Sequence, residues 1–139
     1  MRFMVLVKAN KDSEAGVLPS EQELIEMGKF NDRLIAADAM LAGEGLQSSA
    51  KGAKLRFGPG AERTVTNGPF ADTKELIAGF WIIQATSLAE AVDLFKDAPF
   101  KEGELEFRQV FESPDFEPVL KTDEGRAVLA AEDEFRKRS

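Results

Sequence analysis

Apolar positions alternate over Arg2 to Lys8, with Phe3, Val5 and Val7 on one side and Met4 and Leu6 on the other. Both sides are apolar, so this strand is expected at the centre of a sheet. Ala9 to Pro19 shows no period, carries Gly16 and Pro19, and reads as a loop. Ser20-Glu21-Gln22-Glu23 has the form of a capping box, in which the serine hydroxyl takes the amide of the fourth residue and its carboxylate returns to the cap. A long helix is predicted from there, burying Met27, Phe30, Leu34, Ala37 and Leu41 and stopping at Gly43.

A short strand is expected over Glu44 to Ser49. Lys54 to Phe57 and Arg63 to Thr66 then flank GPGAE and read as a hairpin with more than two loop residues. Leu76 to Ala85 is the most apolar segment, with Ile77, Trp81 and Ile83 on one face and Leu76, Phe80 and Ile82 on the other. Ser87-Leu88-Ala89-Glu90 repeats the capping pattern and opens a second helix, whose buried side is Leu88, Ala91, Val92 and Phe95, with Pro99 beyond its end. Glu104 to Phe111 closes the series as a strand with Leu105, Phe107 and Phe111 on one face and Glu104, Glu106 and Arg108 on the other.

Strand, helix, strand, hairpin, strand, helix, strand is the order of an α+β, ferredoxin-like split βαβ unit with an inserted hairpin. Two helices cover one face of such a sheet, yet the first strand and Leu76 to Ala85 are apolar on both. A second copy packed face to face is the economical cover, giving an isologous homodimer. The alternative cover is the tail from Pro114 onward, where Thr122 is placed to cap a further helix carrying Val128, Leu129 and Phe135. The chain thus divides into a domain over 1–112 and an extension with a C-terminal helix over 113–139.

At 139 residues the chain suits one domain, burying about 68–70% of the surface its unfolded form exposes. With 43% apolar and 31% charged residues, and no apolar run of membrane-spanning length, it reads as a soluble, cytoplasmic protein without membrane contact. A formal charge of −7 argues against nucleic acid as a partner. The terminal RKRS fits the negative end of a helix dipole better than a phosphate surface. Cys and His counts of zero exclude Ser-His-Asp and Cys-His nucleophile systems and leave only carboxylates for a metal. No motif asks for a metal or a cofactor, and GPGAE lacks the ending of a phosphate loop.

Candidate chemistry therefore rests on Asp, Glu, Lys and Arg. In NGPFADTKE, Asn67 to Glu75, one reading is a pocket lip. Gly68 allows close approach, Phe70 covers an apolar ligand, and Asn67, Asp72, Lys74 and Glu75 supply polar contacts. The other reading is a structural corner, since Asn-Gly-Pro is turn chemistry. Glu44, between Gly43 and Gly45, is either a ligand-facing carboxylate or an exposed turn residue. Arg56 and Arg108 suit a bidentate grip on an anion, or pairing with acids such as Glu104 and Glu106. Catalysis, if present, would be acid-base work on a small oxygenated metabolite, with Asp72 or Glu44 moving a proton while Lys74 or an arginine steadies developing negative charge.

LAGEGLQSS (Leu41 to Ser49), NGPFADTKE, LIAGFWII (Leu76 to Ile83), SLAEA (Ser87 to Ala91) and ELEFRQVF (Glu104 to Phe111) together resemble the YCII-related proteins of the DGPF-motif branch. The resemblance covers roughly 1–112 and implies a dimeric α/β-barrel of two ferredoxin-like subunits. It implies no established reaction for that branch. A setting beside extracytoplasmic-function sigma factors is implied, and sigma-factor contact enters by that analogy alone. Two departures stand out: the motif's first Asp is Asn67, and the His-Asp pair proposed for the wider group has no His here. The expected function is that of a small-molecule-binding protein, as enzyme or sensor, with a dimeric interaction or regulatory module as the alternative.

Overall fold

The computed structural model describes residues 1–138, so Ser139, the last residue of RKRS and of the 113–139 extension, lies outside the described residues. Its elements in chain order are β1 (Arg2–Lys8), α1 (Lys11–Glu14), α2 (Glu21–Ala36), β2 (Met40–Gly45), β3 (Ala53–Phe57), β4 (Arg63–Asn67), β5 (Ile77–Gln84), α3 (Leu88–Leu94), β6 (Leu105–Gln109), α4 (Ser113–Phe116) and α5 (Asp123–Lys137). Short 3₁₀ turns occupy Ser49–Lys51, Thr73–Glu75 and Glu117–Val119.

The main sheet is antiparallel in the order β2-β5-β1-β6, with β1 and β5 central, and β3-β4 form a separate two-stranded ribbon. This is the ferredoxin-like order read from the alternation of β1 and β5. Ser20 accepts the Glu23 amide and the Glu23 carboxylate accepts the Ser20 amide, which starts α2 where the capping box predicts. Ser87 accepts the Glu90 amide at the start of α3, and Thr122 accepts the Gly125 amide at the start of α5.

Helices α2 and α3 cover one face of the sheet. Phe3 and Val5 of β1, Phe30 and Leu34 of α2, Trp81 and Ile83 of β5, and Ala91 beside Phe95 form the buried core. Its centre is a set of edge-to-face rings: Phe30 to Phe95 at 5.2 Å, Trp81 to Phe95 at 5.1 Å and Phe95 to Phe107 at 5.6 Å between centroids. The opposite face carries Met4 across from Ile82 and Leu6 across from Phe80, all four half-buried. Ion pairs border it: Arg2 with Glu112 at 2.8 Å, and Glu106 with Lys8 at 2.8 Å and Arg108 at 3.3 Å.

Several expectations are corrected. Helix α2 ends at Ala36, with Ala37 as its cap and exposed, because Asp38 turns the chain through a left-handed φ of 56°. Leu41 consequently lies in β2 and is exposed, and that strand runs Met40–Gly45 rather than Glu44 to Ser49, since Met40 already pairs with Ile83. The loop from Ala9 holds α1, whose capping box joins Asn10 and Ser13. Leu88 is exposed although its spacing aligns it with Ala91 and Phe95, because it opens the first turn of α3. β6 stops at Gln109, so Phe111 leaves the sheet face and packs its ring on Phe116 at 4.9 Å. In α5, Val128 and Phe135 are exposed, and Ser113 donates to Asp133 at 2.5 Å to tie the helix to α4.

Candidate functional site

Across the helix-facing side of β2, β5 and β1, side chains fall into rungs. One rung is Met40, Ile83 and Phe3; the next is Gly43, Trp81 and Val5; the third is Gly45, Gly79 and Val7. The third rung lacks bulk at two of its three positions. There the space between α2 and the sheet opens into a cavity of about 1040 Å³, just above the roughly 300–1,000 Å³ range usual for small-molecule sites. Val7, Gly79 and Trp81 form part of its wall, Met27 and Asn31 of α2 line it, and Phe100 and the segment Ser13 to Pro19 border its mouth.

Glycine is demanded at two places by packing. A Cβ on Gly43 would lie 2.8 Å from Met40 Cε and 2.9 Å from Trp81 Cδ1, so the indole sits where it does because Gly43 makes room. A Cβ on Gly68 would lie 1.6 Å from the Ser49 carbonyl oxygen, so the Asn-Gly-Pro corner crosses directly over the 3₁₀ turn at Ser49. The Gly68–Pro69 bond is cis, and the Gly68 amide donates to the Gly52 carbonyl at 2.9 Å.

Two groups of polar contacts join distant segments at the cavity. Trp81 Nε1–H, in a residue only 6% exposed, donates to Asn31 Oδ1 at 2.9 Å. Glu14, at the end of α1, accepts from the Ser49 amide at 3.0 Å and from Ser49 Oγ, while Ser48 Oγ donates to the Glu14 carbonyl at 2.7 Å. Ser49 Oγ also accepts the Phe70 amide at 3.0 Å. The hydroxyl hydrogen bond from Ser49, then the one from its amide, holds the Glu14 carboxyl below its usual 4.5. One hydroxyl thus locks the α1 end of the rim to the NGPF corner.

Of the residues nominated from sequence, Glu44 touches the cavity. Its backbone passes Gly79 at the rim, and its register opposite Phe80 puts its side chain on the sheet's other face. Asp72, Lys74 and Glu75 are exposed and form the 3₁₀ turn before β5, where Asp72 accepts the Lys74 amide at 3.1 Å. Asn67 ends β4 opposite Ala53, and Phe70 is half-buried with Lys54 Nζ 4.3 Å from its ring centroid. Arg56 is exposed on the ribbon, and Arg108 pairs with Glu106 at 3.3 Å on its own strand. Asp72, Lys74, Arg56 and Arg108 are therefore spread over the ribbon, the turn before β5 and the far sheet edge. Sequence reasoning missed Asn31, Glu14 and Ser49; the Asn10 and Ser13 capping spacing was the available signal for α1, which carries Glu14.

Among the described residues no cluster of His, Cys, Asp or Glu is arranged to hold a metal ion, and no helix is long and apolar enough to cross a membrane.

A ferredoxin-like sheet with a ligand-sized cavity between its central strands and α2 defines the class of molecule. The chain belongs to the YCII-related family, whose domain model matches residues 1–114. An uncharacterised protein of Rhizobium meliloti (strain 1021), R00369, is 49% identical over 45 residues, which is 32% of this chain and 36% of that protein. The match thus spans about a third of that relative's length. Among solved structures, the chain is similar to the 5-chloro-2-hydroxyhydroquinone dehydrochlorinase TftG from Burkholderia phenoliruptrix AC1100, in complex with 2,5-dihydroxybenzoquinone. That likeness has a TM-score of 0.45 at 15% identity and covers 83% of this chain and 98% of the other, and nothing of the enzyme's chemistry is carried over from it.

Proposed function

We propose that this protein binds a small molecule in the cavity between α2 and the Gly45, Gly79 and Val7 rung. The observation that supports the reading most is the cavity itself, about 1040 Å³ of space beside a rung that glycine leaves without bulk at two of three positions. Its rim is braced from two sides by the Glu14 and Ser49 contacts, which favours a permanent site over a packing fault. Within this reading the NGPFADTKE segment supports the rim from behind, and Glu44 contributes its backbone to the rim while its side chain lies on the sheet's other face. Assignment to the DGPF branch is part of the proposal and rests on NGPFADTKE and the accompanying segments.

A homodimer packed through the open sheet face, closing into an α/β-barrel, belongs to the same proposal. Met4, Leu6, Phe80 and Ile82 make a continuous apolar strip there, bordered by ion pairs that suit an interface rim. A second reading, a regulatory interaction module, is favoured by the ribbon, where Leu55, Phe57 and Val65 are 53%, 69% and 63% exposed.

Native mass spectrometry of wild type and Val7→Phe tests the first reading, because the larger ring fills the cavity from β1. A small mass retained by the wild type, lost on denaturation and absent from the variant is expected, on a dimer. The same mass on both proteins, or a wild type that binds neither a retained nor an added ring compound, contradicts it.

A further inference from the structure

The cavity reading carries a more specific consequence at Asn31. An indole N–H donates and cannot accept. The 2.9 Å contact from Trp81 Nε1 therefore fixes the Asn31 amide with its oxygen on the indole and its nitrogen turned away. Among the described residues no group accepts from that nitrogen, and no sealed side-chain polar atom lacks a partner. The nitrogen is thus open to solvent, and Asn31 lines the cavity.

The surroundings supply little to compete with it. Met27 lies one turn earlier on α2, and Trp81 and Phe100 meet edge-to-face at 6.3 Å between centroids, all three lining the same space. Glu14, an acid in the lining, is turned to Ser49, each of its carboxylate oxygens accepting a hydrogen bond from that residue. The lining therefore offers two unpaired N–H donors next to apolar surface, held in orientation by a buried ring.

Resting on the cavity reading, we infer that Asn31 determines specificity there: it takes a ligand with an apolar ring against Trp81, Phe100 and Met27 and an uncharged acceptor oxygen, of carbonyl type, on Asn31 Nδ2. A head group that only donates meets two facing N–H groups and is rejected.

The chain's single tryptophan gives one indole resonance in a ¹H–¹⁵N spectrum, assigned by composition alone. The full-length protein is titrated with acetophenone and with 1-phenylethylammonium, which share a carbon skeleton and differ in offering an acceptor or only donors. Acetophenone is expected to shift the indole resonance saturably and about tenfold more tightly than the ammonium, the worth of one well-placed hydrogen bond. Asn31→Asp keeps an acceptor for Trp81 and replaces the amide donors by carboxylate oxygen, so the order of the two probes inverts. Asn31→Leu removes the preference; if that variant does not fold, the inversion in Asn31→Asp decides alone.

Equal response to both probes in the wild type, or an order unchanged in Asn31→Asp, overturns the role of Asn31 and leaves the cavity as a binding site. Failure of both probes to move the indole resonance saturably overturns the cavity reading and this inference together.

Discussion

Two ends of one layer differ. At one end Met40, Ile83 and Phe3 stand side by side under Leu34 and Phe30, and the space is filled. At the other, the same three strands present Gly45, Gly79 and Val7 under Met27 and Asn31, and the space is open. Strand order, pairing and helix are common to both ends. The cavity therefore arises from side-chain choice along shared elements, and stability and binding are assigned to different ends of them.

The sharpest break of that comparison is truncation at each end. Phe30→Ala, at a residue 1% exposed, is expected to cost about 3–5 kcal/mol, whereas Met27→Ala, half-buried one turn earlier, costs less than about 2 kcal/mol because it enlarges an existing opening and creates no closed void. Denaturant unfolding of the two variants checks this, and equal losses would erase the distinction.

The filled end was legible from the chain alone. Alternation put Phe3 with Val5, and Trp81 with Ile83, on one side of their own strands, and Ser20 with Glu23, Ser87 with Glu90, and Thr122 located three helix starts. These signals are local, repeating within a turn or a pair of residues. The open end was not legible, because its contacts are long-range: Asn31 with Trp81 across 50 positions, Glu14 with Ser49 across 35, and Phe70 with Ser49 across 21. Periodicity shows that Gly43 and Gly79 are small. It does not show that Trp81 leans on the first, or that the Glu44 carbonyl would stand 2.9 Å from a Cβ on the second. Charged residues near a glycine-proline corner drew attention to Asp72 and Lys74, whereas that corner's tightest contact is backbone on backbone, Gly68 over Ser49.

Gly43→Ala sits at the border of the two ends and sharpens the comparison next. Its added carbon would press on Met40 and Trp81, so a loss of about 1–3 kcal/mol is expected together with a displaced indole resonance. A variant of normal stability with an unmoved indole resonance would show that Trp81 does not depend on this glycine.

A smaller, pH-dependent effect belongs to the rim. Folding lowers the Glu14 carboxyl from 4.5 through its hydrogen bonds from Ser49. A depressed carboxyl stabilises the fold fully above its unfolded value, and that contribution fades as pH falls through the lower folded value. Melting temperature followed downward from pH 6 should therefore fall less steeply in Glu14→Gln than in wild type below about pH 4.5. Parallel curves would remove Glu14 from the rim's stability. The smallest effect is expected at Leu88→Gln, where the residue is 53% exposed and a change within about 0.5 kcal/mol follows.

The central claim is a place: a ligand's ring against Trp81, Phe100 and Met27, its acceptor on Asn31. A crystal structure of the protein with acetophenone reports that place directly. The account predicts the ring in the open end of the helix–sheet layer with the ketone oxygen within about 3.2 Å of Asn31 Nδ2. The probe lying instead on the other sheet face, against Leu6 and Phe80, would contradict it.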